Sequence, residues 1–147
     1  MVAMGVDPVS LRSVLTTVLG QRLVPALNDK ERFSYILSSE DRLNLVDKVD
    51  LDAVLEALKE MNLIKDNSSW RTVPLFRDAN SPKERRPHAW VGIQEVINIS
   101  PAIEALITND PKSESIMRQA RREGTLTLLE DRLVKSVRGL TDVGLIN

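Results

Sequence analysis

Apolar residues at close to helical spacing fill the first part of the chain, and this run most limits how the chain can fold. Asp7 and Pro8 suit a helix start, as N-cap and first helical residue. Gly20 and Pro25 interrupt the run, and a proline kinks or ends a helix. We predict one largely buried helix over 9–24, packed on a sheet from outside this chain. The apolar positions are Val9, Leu11, Val14, Leu15, Val18, Leu19, Leu23, Val24 and Leu27.

Residues 28–66 are predicted to form a helical insert. Ser38 or Ser39 is expected to cap a short helix that runs to about Asp47. A second helix, from about Leu51 to Asn62, places its apolar residues on one side.

Residues 67–99 are predicted to hold a small β element of two or three strands around 70–99, with a polar loop. The segment WRTVPLF reads as extended, and Pro74 limits it to an edge or an irregular strand. The alternating segment 89–99, rich in Val and Ile, predicts a further strand.

Residues 100–147 return to helix and are predicted to form a C-terminal helical subdomain. Ser100 with Pro101 begins one helix, and Gly124 is expected to stop a basic helix that starts near residue 113. Thr125 or Thr127 starts the last helix. The predicted fold class is mainly α within α+β, with a bundle-like C-terminal module.

The composition excludes several kinds of protein. Twenty basic residues nearly balance twenty-one acidic ones. The chain as a whole therefore exerts no long-range electrostatic attraction on nucleic acid or on an anionic membrane. The lack of cysteine excludes disulfides and thiolate zinc sites. No segment reaches the roughly 18 apolar residues of a membrane helix, and the start lacks a signal-peptide pattern. We expect a cytoplasmic protein that does not span a membrane. Its first residues read like the middle of a domain, as in a fragment or a truncated gene.

Three segments in order resemble the C-terminal region of the type II secretion and type IV pilus assembly ATPases. They are MGVDPVSLRSVLTTVLGQRLVPAL (4–27), VGIQEVINISPAIEALI (91–107) and ARREGTLTLLEDRLVKSVRGLTDV (120–143). Each segment alone is a weak signal, whereas their order over nearly the whole chain is a strong one. The positions that match the family's motifs are Gly5, Asp7, Pro8, Gly92, Glu95, Gly124, Glu130 and Asp131.

The chain departs from the family where many members bind a structural zinc with two Cys-x-x-Cys pairs. The first pair is replaced by 28–31 and the second falls within 76–88, and one histidine cannot complete a tetrahedral site. Arg132 stands where the family's EDG motif has its glycine, and the glycines before the second segment are absent. The helical insert at 32–62 resembles a zinc-free branch of the family.

The resemblance implies a module without ATPase chemistry. Hydrolysis needs a glycine-rich phosphate loop with its lysine, and this chain has six glycines and no such loop. ATP and Mg²⁺ are expected only with a nucleotide-binding core upstream, where residues 1–27 would supply that core's last helix. The implied partners are the ATPase core, neighbouring subunits of a hexamer and the inner-membrane platform protein, which would hold the chain at that membrane's periphery.

Few residues are candidates for roles beyond packing. By the resemblance, Gln21 and Arg22 lie near a subunit interface, although a structural ion pair is the commoner role for such an arginine. Glu95 is expected to be a salt-bridge partner, since nothing nearby supplies a nucleophile. His88 is expected to be solvated, like the basic loop around it. We expect Trp70 and Trp90 to pack together or to cap the core, in preference to the alternative that they anchor a binding partner.

Two other functions remain open at this stage. The first is a free-standing, dimeric interaction protein derived from such an ATPase, with the apolar face of 9–24 covered by the dimer. The second is a helical nucleic-acid-binding protein that uses Arg118, Arg121 and Arg122, which the nearly neutral charge and nearby glutamates disfavour. The sequence does not distinguish a parent ATPase that serves secretion from one that serves pilus assembly or DNA uptake.

Overall fold

The computed structural model describes Gly5 and residues 7–79 and 88–144, which contain six helices and four strands. The helices are α1 (Pro8–Val14), α2 (Ser39–Val46), α3 (Leu51–Glu60), α4 (Pro101–Asn109), α5 (Ser113–Arg122) and α6 (Leu128–Val137). The strands are β1 (Thr17–Pro25), β2 (Arg32–Ile36), β3 (Pro74–Asp78) and β4 (Trp90–Asn98). The predicted mixed α+β class is therefore confirmed.

The strands form two separate two-stranded sheets. In one, β2 runs antiparallel to β3, with Phe33 opposite Arg77 and Tyr35 opposite Leu75. In the other, β1 pairs with β4. Backbone bonds from Ala26 N to Ala89 O and from Ile99 N to Thr16 O continue that pairing past its two ends, so the two strands run in opposite directions.

The chain divides into two compact units. The first contains the described residues up to Gly20 together with Glu95–Thr125. Its core is small and aliphatic, and α1, α4 and α5 supply it through Leu11, Ile103, Ile107 and Ala120. Burying such aliphatic side chains is the main force that holds these helices together.

The second unit contains the described residues of Gln21–Gln94 and Leu126–Asn147. Its larger core lies between α2, α3, β3 and α6, and Trp70 donates its indole N–H to Leu51 O at 2.8 Å. The fully buried side chains include Leu37, Leu45, Val54, Leu58, Val73, Leu75 and Leu133. No helix in the described part of the chain has the length and apolar character needed to cross a membrane.

The helix starts follow the sequence closely. Asp7, Ser38, Ser100 and Thr127 each cap a helix by accepting a hydrogen bond from a backbone N–H, as predicted. Gly124 follows α5 with a φ of +90°, the left-handed conformation expected after a helix end.

Two predicted helical regions are wrong in part. The predicted helix over 9–24 ends at Val14, and Thr17–Pro25 is a strand. The predicted helical insert begins with strand β2, and only its later part forms the helices α2 and α3. In both places pairing with a distant strand, β4 or β3, decides the local conformation.

The two tryptophans behave differently from each other. Trp70 is buried in the core of the second unit, as expected. Trp90 is 59% exposed at the start of β4, so the prediction that it packs into the structure is wrong.

Candidate functional site

The two subunit-interface candidates lie on a strand and not on the predicted helix. Gln21 and Arg22 are consecutive residues of β1, so their side chains point to opposite faces of the sheet. Both are exposed, and among the described residues Nη1 of Arg22 donates to the carbonyl of Gln21, at 3.5 Å. The exposed arginine is therefore open to contact with another molecule.

Gln21 lies over Gly92 of the partner strand. A Cβ added to Gly92 would come within 2.8 Å of Nε2 of Gln21, a separation that real Cβ atoms do not reach. Any larger residue at this motif position would displace the glutamine. The contact also shows that Gln21 and Gly92 share one face of the sheet.

This face of the sheet, within the second unit, is uncovered. Side chains alternate along a strand, so Leu23 shares the face of Gln21, and Trp90 and Gln94 share the face of Gly92. Leu23 is 64% exposed and Trp90 is 59% exposed. We call this surface the Leu23–Trp90 face. Large apolar side chains grouped on an exposed surface are typical of interaction sites.

The opposite face of the same strands is covered in part, at two aliphatic side chains, while Arg22 on that face is exposed. Val24 of β1 is 7% exposed and Ile93 of β4 is 6% exposed. Both faces of the sheet therefore carry large apolar side chains, but within the described residues only Val24 and Ile93, on one face, are buried.

The outer edge of β1 is also open. In an antiparallel pair, every second residue directs its backbone N–H and C=O groups toward the partner strand. The Ala26 N–H donates to Ala89 O, so the even-numbered residues of β1 direct their backbone groups toward β4. The backbone groups of Gln21 and Leu23 consequently point to the other edge, and within the described residues only β4 pairs with β1. An edge strand of this kind is a template for one more strand.

The outer edge of β4, by contrast, is tied to α6. The backbone N–H of Gln94 donates to Oδ2 of Asp131 at 2.7 Å, and the same carboxylate accepts a hydrogen bond from Lys135. The side chains of Asp131 and Lys135 are 19% and 14% exposed, so this pair is partly screened from water. Asp131, a motif position, is therefore a structural connector between β4 and α6.

Glu130, the neighbouring motif position, is fully buried. Its Oε1 accepts a hydrogen bond from Asp50 N, and its Oε2 accepts one from Thr127 N, both at 2.8 Å. One carboxylate thus serves the starts of α3 and α6 together. Glu130 and Asp131 both hold the second unit together, and nothing in this arrangement points to chemistry on a substrate.

The remaining motif positions have local roles. Asp7 accepts hydrogen bonds from the backbone and the hydroxyl of Ser10, both at 2.9 Å, and Pro8 begins α1. The Ser10 backbone N–H, and next its hydroxyl, hold the pKa of the Asp7 carboxyl below its ordinary value. Gly5 has a φ of +82°. Glu95 lies beside Gly20, where an added Cβ would be 3.7 Å from its own Cβ.

The position that corresponds to the first zinc pair in the resemblance is occupied by a turn with local hydrogen bonds. The Nδ2 of Asn28 donates to Oε2 of Glu31, and Oδ1 of Asn28 accepts from Lys30 N. Neither residue type nor geometry fits a tetrahedral zinc site. Across the described ranges, no group of three or more His, Cys, Asp or Glu side chains could hold a metal ion. His88 is exposed, and the basic residues just before it lie outside the described residues.

Two arginines hold the segment after α6. Nη1 of Arg32 donates to Gly139 O at 2.5 Å. Arg132, which replaces the motif glycine, donates to the carbonyl and the carboxylate of Asp142 at 2.7 and 2.8 Å. Arg132 therefore supplies a salt bridge that fastens this segment to α6.

No protein-family model matches the chain, and no curated protein matches it either.

Proposed function

We propose that this chain is the C-terminal, non-catalytic module of a type II secretion or type IV pilus assembly ATPase. The proposal rests on the order of the three motif segments together with the open surface of β1. In this view the module packs on the nucleotide-binding core, contributes to subunit contacts in a hexamer and passes domain motion to the inner-membrane platform protein. It works at the cytoplasmic side of that membrane, and ATP and Mg²⁺ belong to the core alone.

The observation that carries the proposal is the uncovered state of β1. Its outer edge offers the backbone groups of Gln21 and Leu23, and the Leu23–Trp90 face exposes two large apolar side chains. An added strand from the core's sheet would satisfy the edge, and the same contact would cover Leu23. Arg22, exposed beside this edge, is placed to meet an acidic group or a phosphate of the core or of the next subunit.

A binding experiment tests the proposal. The partner is the core of a secretion or pilus assembly ATPase prepared without its own C-terminal region, and the readout is isothermal titration calorimetry. We expect the chain to bind, and Leu23→Asp to weaken binding at least about tenfold, because an unpaired carboxylate would be buried at the contact.

Met61→Asp is the matched control for that experiment. Met61 is also an exposed apolar residue of the second unit, 52% exposed, but it follows α3 and is not part of β1. Its replacement should leave binding unchanged. Absence of binding by the unsubstituted chain, or equal loss with both variants, would contradict the proposal.

A second candidate is a free-standing, dimeric interaction protein. The same open edge favours it, because two β1 strands that pair antiparallel about Gln21 would set Leu23 of one copy opposite Leu19 of the other. Size-exclusion chromatography with light scattering separates the candidates. A tight dimer that Leu23→Asp dissolves, together with no binding to any ATPase core, would favour this second function.

A further inference from the structure

Helix α2 exposes two large aliphatic side chains between two acidic ones. Leu43 is 69% exposed and Val46 is 57% exposed. Glu40 and Asp47, which are also exposed, lie one turn to either side of Leu43. Residues three or four apart are neighbours on a helix surface, so these four form one stripe, which we call the α2 acidic stripe.

One of the two acidic side chains, Asp47, is poorly placed for the helix itself. Asp47 is the C-cap of α2, and the last turn carries no basic residue. A helix C-terminus bears partial negative charge, so an acidic side chain there is repelled and a cation would be attracted. Glu40 lies in the first turn, where the helix favours an acidic side chain, so the cation of a partner is needed most at the Asp47 end of the stripe.

Helix α5 carries the complementary chemistry. Arg118 and Arg122 are exposed and one turn apart, which places them on the same face. The helix is held from its other side, where Ala120 is fully buried and Ile116 packs on the core of the first unit. We call Arg118 and Arg122 the α5 arginine pair.

We propose that the α2 acidic stripe of one copy of this chain docks on the α5 arginine pair of a second copy. The two guanidinium groups would meet Glu40 and Asp47, which are roughly 10 Å apart along α2. The methylene stems of the arginines would cover Leu43 and Val46, as long basic side chains do on apolar surfaces. The same contact would therefore pair the opposite charges and cover the exposed aliphatic side chains of the stripe.

A protein partner fits the α5 arginine pair better than nucleic acid does. Glu114 lies one turn before Arg118 on the same face. Nucleic-acid binding needs an extended basic patch or stripe, which two arginines beside a glutamate do not form. Two arginines do match in number the two carboxylates of the α2 acidic stripe. The nearly neutral net charge of the chain points the same way.

The proposed contact is heterologous, because it joins two different surfaces. Contacts of this type produce a closed ring or an open filament and not a two-fold dimer. The inference deepens the proposed function, since it names the surfaces of a subunit contact. Its test needs only the 147-residue chain, so that failure here and failure to bind an ATPase core are separate results.

Charge reversal on each surface provides the test. One variant carries Glu40→Lys with Asp47→Lys, and the other carries Arg118→Glu with Arg122→Glu. Sedimentation velocity of the unsubstituted chain at about 50 mM salt should show concentration-dependent association, weakened at about 500 mM. Each variant alone should associate at least about tenfold more weakly, because like charges then face each other. Mixing the two variants should restore association, and so should combining all four substitutions in one chain.

Glu60→Lys with Asp66→Lys is the matched control. Both residues are exposed, and the change of charge is the same, but neither lies on α2. This control should associate like the unsubstituted chain, and circular dichroism should show every variant folded. A chain that stays monomeric at low salt overturns the proposal. So does association that ignores salt and charge reversal, mixing that restores nothing, or low-salt DNA binding through the arginine pair without self-association.

Discussion

Oε1 of the fully buried Glu130 accepts a hydrogen bond from the backbone N–H of Asp50 at 2.8 Å, a contact that joins residues far apart in the chain. Oε2 of the same side chain accepts from Thr127 N, which closes the capping box at the start of α6. The carboxylate therefore sets where α6 begins and also where α3 begins against it. A group that serves two helix starts should matter for stability far more than an ordinary cap.

Glu130→Gln tests this double role. A glutamine oxygen can still accept one of the two bonds, but its amide group would turn N–H donors toward the other backbone N–H. We expect a loss of about 1–3 kcal/mol in the free energy of unfolding, the cost of an unsatisfied buried donor. Urea unfolding measures it. Glu60→Gln, at an exposed position, should change the same quantity by no more than about 0.5 kcal/mol. Equal effects of the two substitutions would disprove the role assigned to Glu130.

The sequence predicts best those elements that carry their own end signals. Ser38, Ser100 and Thr127 mark helix starts through local hydrogen bonds that any short segment can form. Gly124 likewise marks a helix end through its own conformation. Strand β4 was predictable because its sequence is rich in Val and Ile and begins with the alternation of Val91 and Ile93.

Strand β1 was mispredicted for an identifiable reason. Its apolar residues on both faces fit a helical period as well as a strand, and the preceding α1 favoured the helical interpretation. Pairing with β4, about seventy residues later in the chain, decides between the two. Strand β2 was missed because only its pairing with β3 makes its mixed sequence a strand.

The candidate site could be predicted in its residues but not in its geometry. The motif resemblance selects Gln21 and Gly92, yet only the sheet places the glutamine over the glycine. It also selects Glu130 and Asp131, whose partners Asp50 and Gln94 are backbone groups of other elements. Almost any residue type can supply a backbone N–H group. The residue types at these positions therefore give no sign of the hydrogen bonds, and no sequence pattern predicts them.

Asn62 offers a test of backbone strain. It follows α3 with a φ of +56°, a left-handed conformation that costs most residues about 1–2 kcal/mol and costs glycine almost nothing. We expect Asn62→Gly to be neutral or to raise the free energy of unfolding by up to about 1 kcal/mol. Asn62→Ala should lower it by about 0.5–1 kcal/mol, since alanine lacks the local hydrogen bonds of asparagine. Urea unfolding of both variants checks the order, and a more stable alanine variant would contradict it.

Gly139 is predicted to depend on Arg32. Its φ is +72°, and a Cβ at this position would collide with the guanidinium of Arg32, which donates to Gly139 O. Gly139→Ala should therefore cost the strain of the left-handed conformation and also displace the arginine, about 2–4 kcal/mol together. A double-mutant cycle with Arg32→Ala separates the two costs.

In the Arg32→Ala background, Gly139→Ala should keep its conformational cost and the close approach of the added Cβ to Cδ2 of Phe76, at 3.3 Å, but no longer displace the arginine. The coupling energy between the two substitutions is expected to be about 1 kcal/mol or more, measured from the free energies of unfolding of the four proteins. Additive effects would show that the arginine moves aside without loss.

The N-cap of α1 should respond to acid. Hydrogen bonds from the backbone N–H and then the hydroxyl of Ser10 lower the pKa of Asp7 below its ordinary value of 3.8. Because the folded pKa is the lower one, the cap's contribution is present above pH 3.8 and is lost as the pH falls through the folded pKa. The Ser10 amide proton should therefore shift in NMR spectra with a midpoint below 3.8. Asp7→Asn keeps a cap without a titrating group, so its Ser10 amide should show no such step. A midpoint at or above the ordinary value would mean that the Asp7 cap does not form in solution.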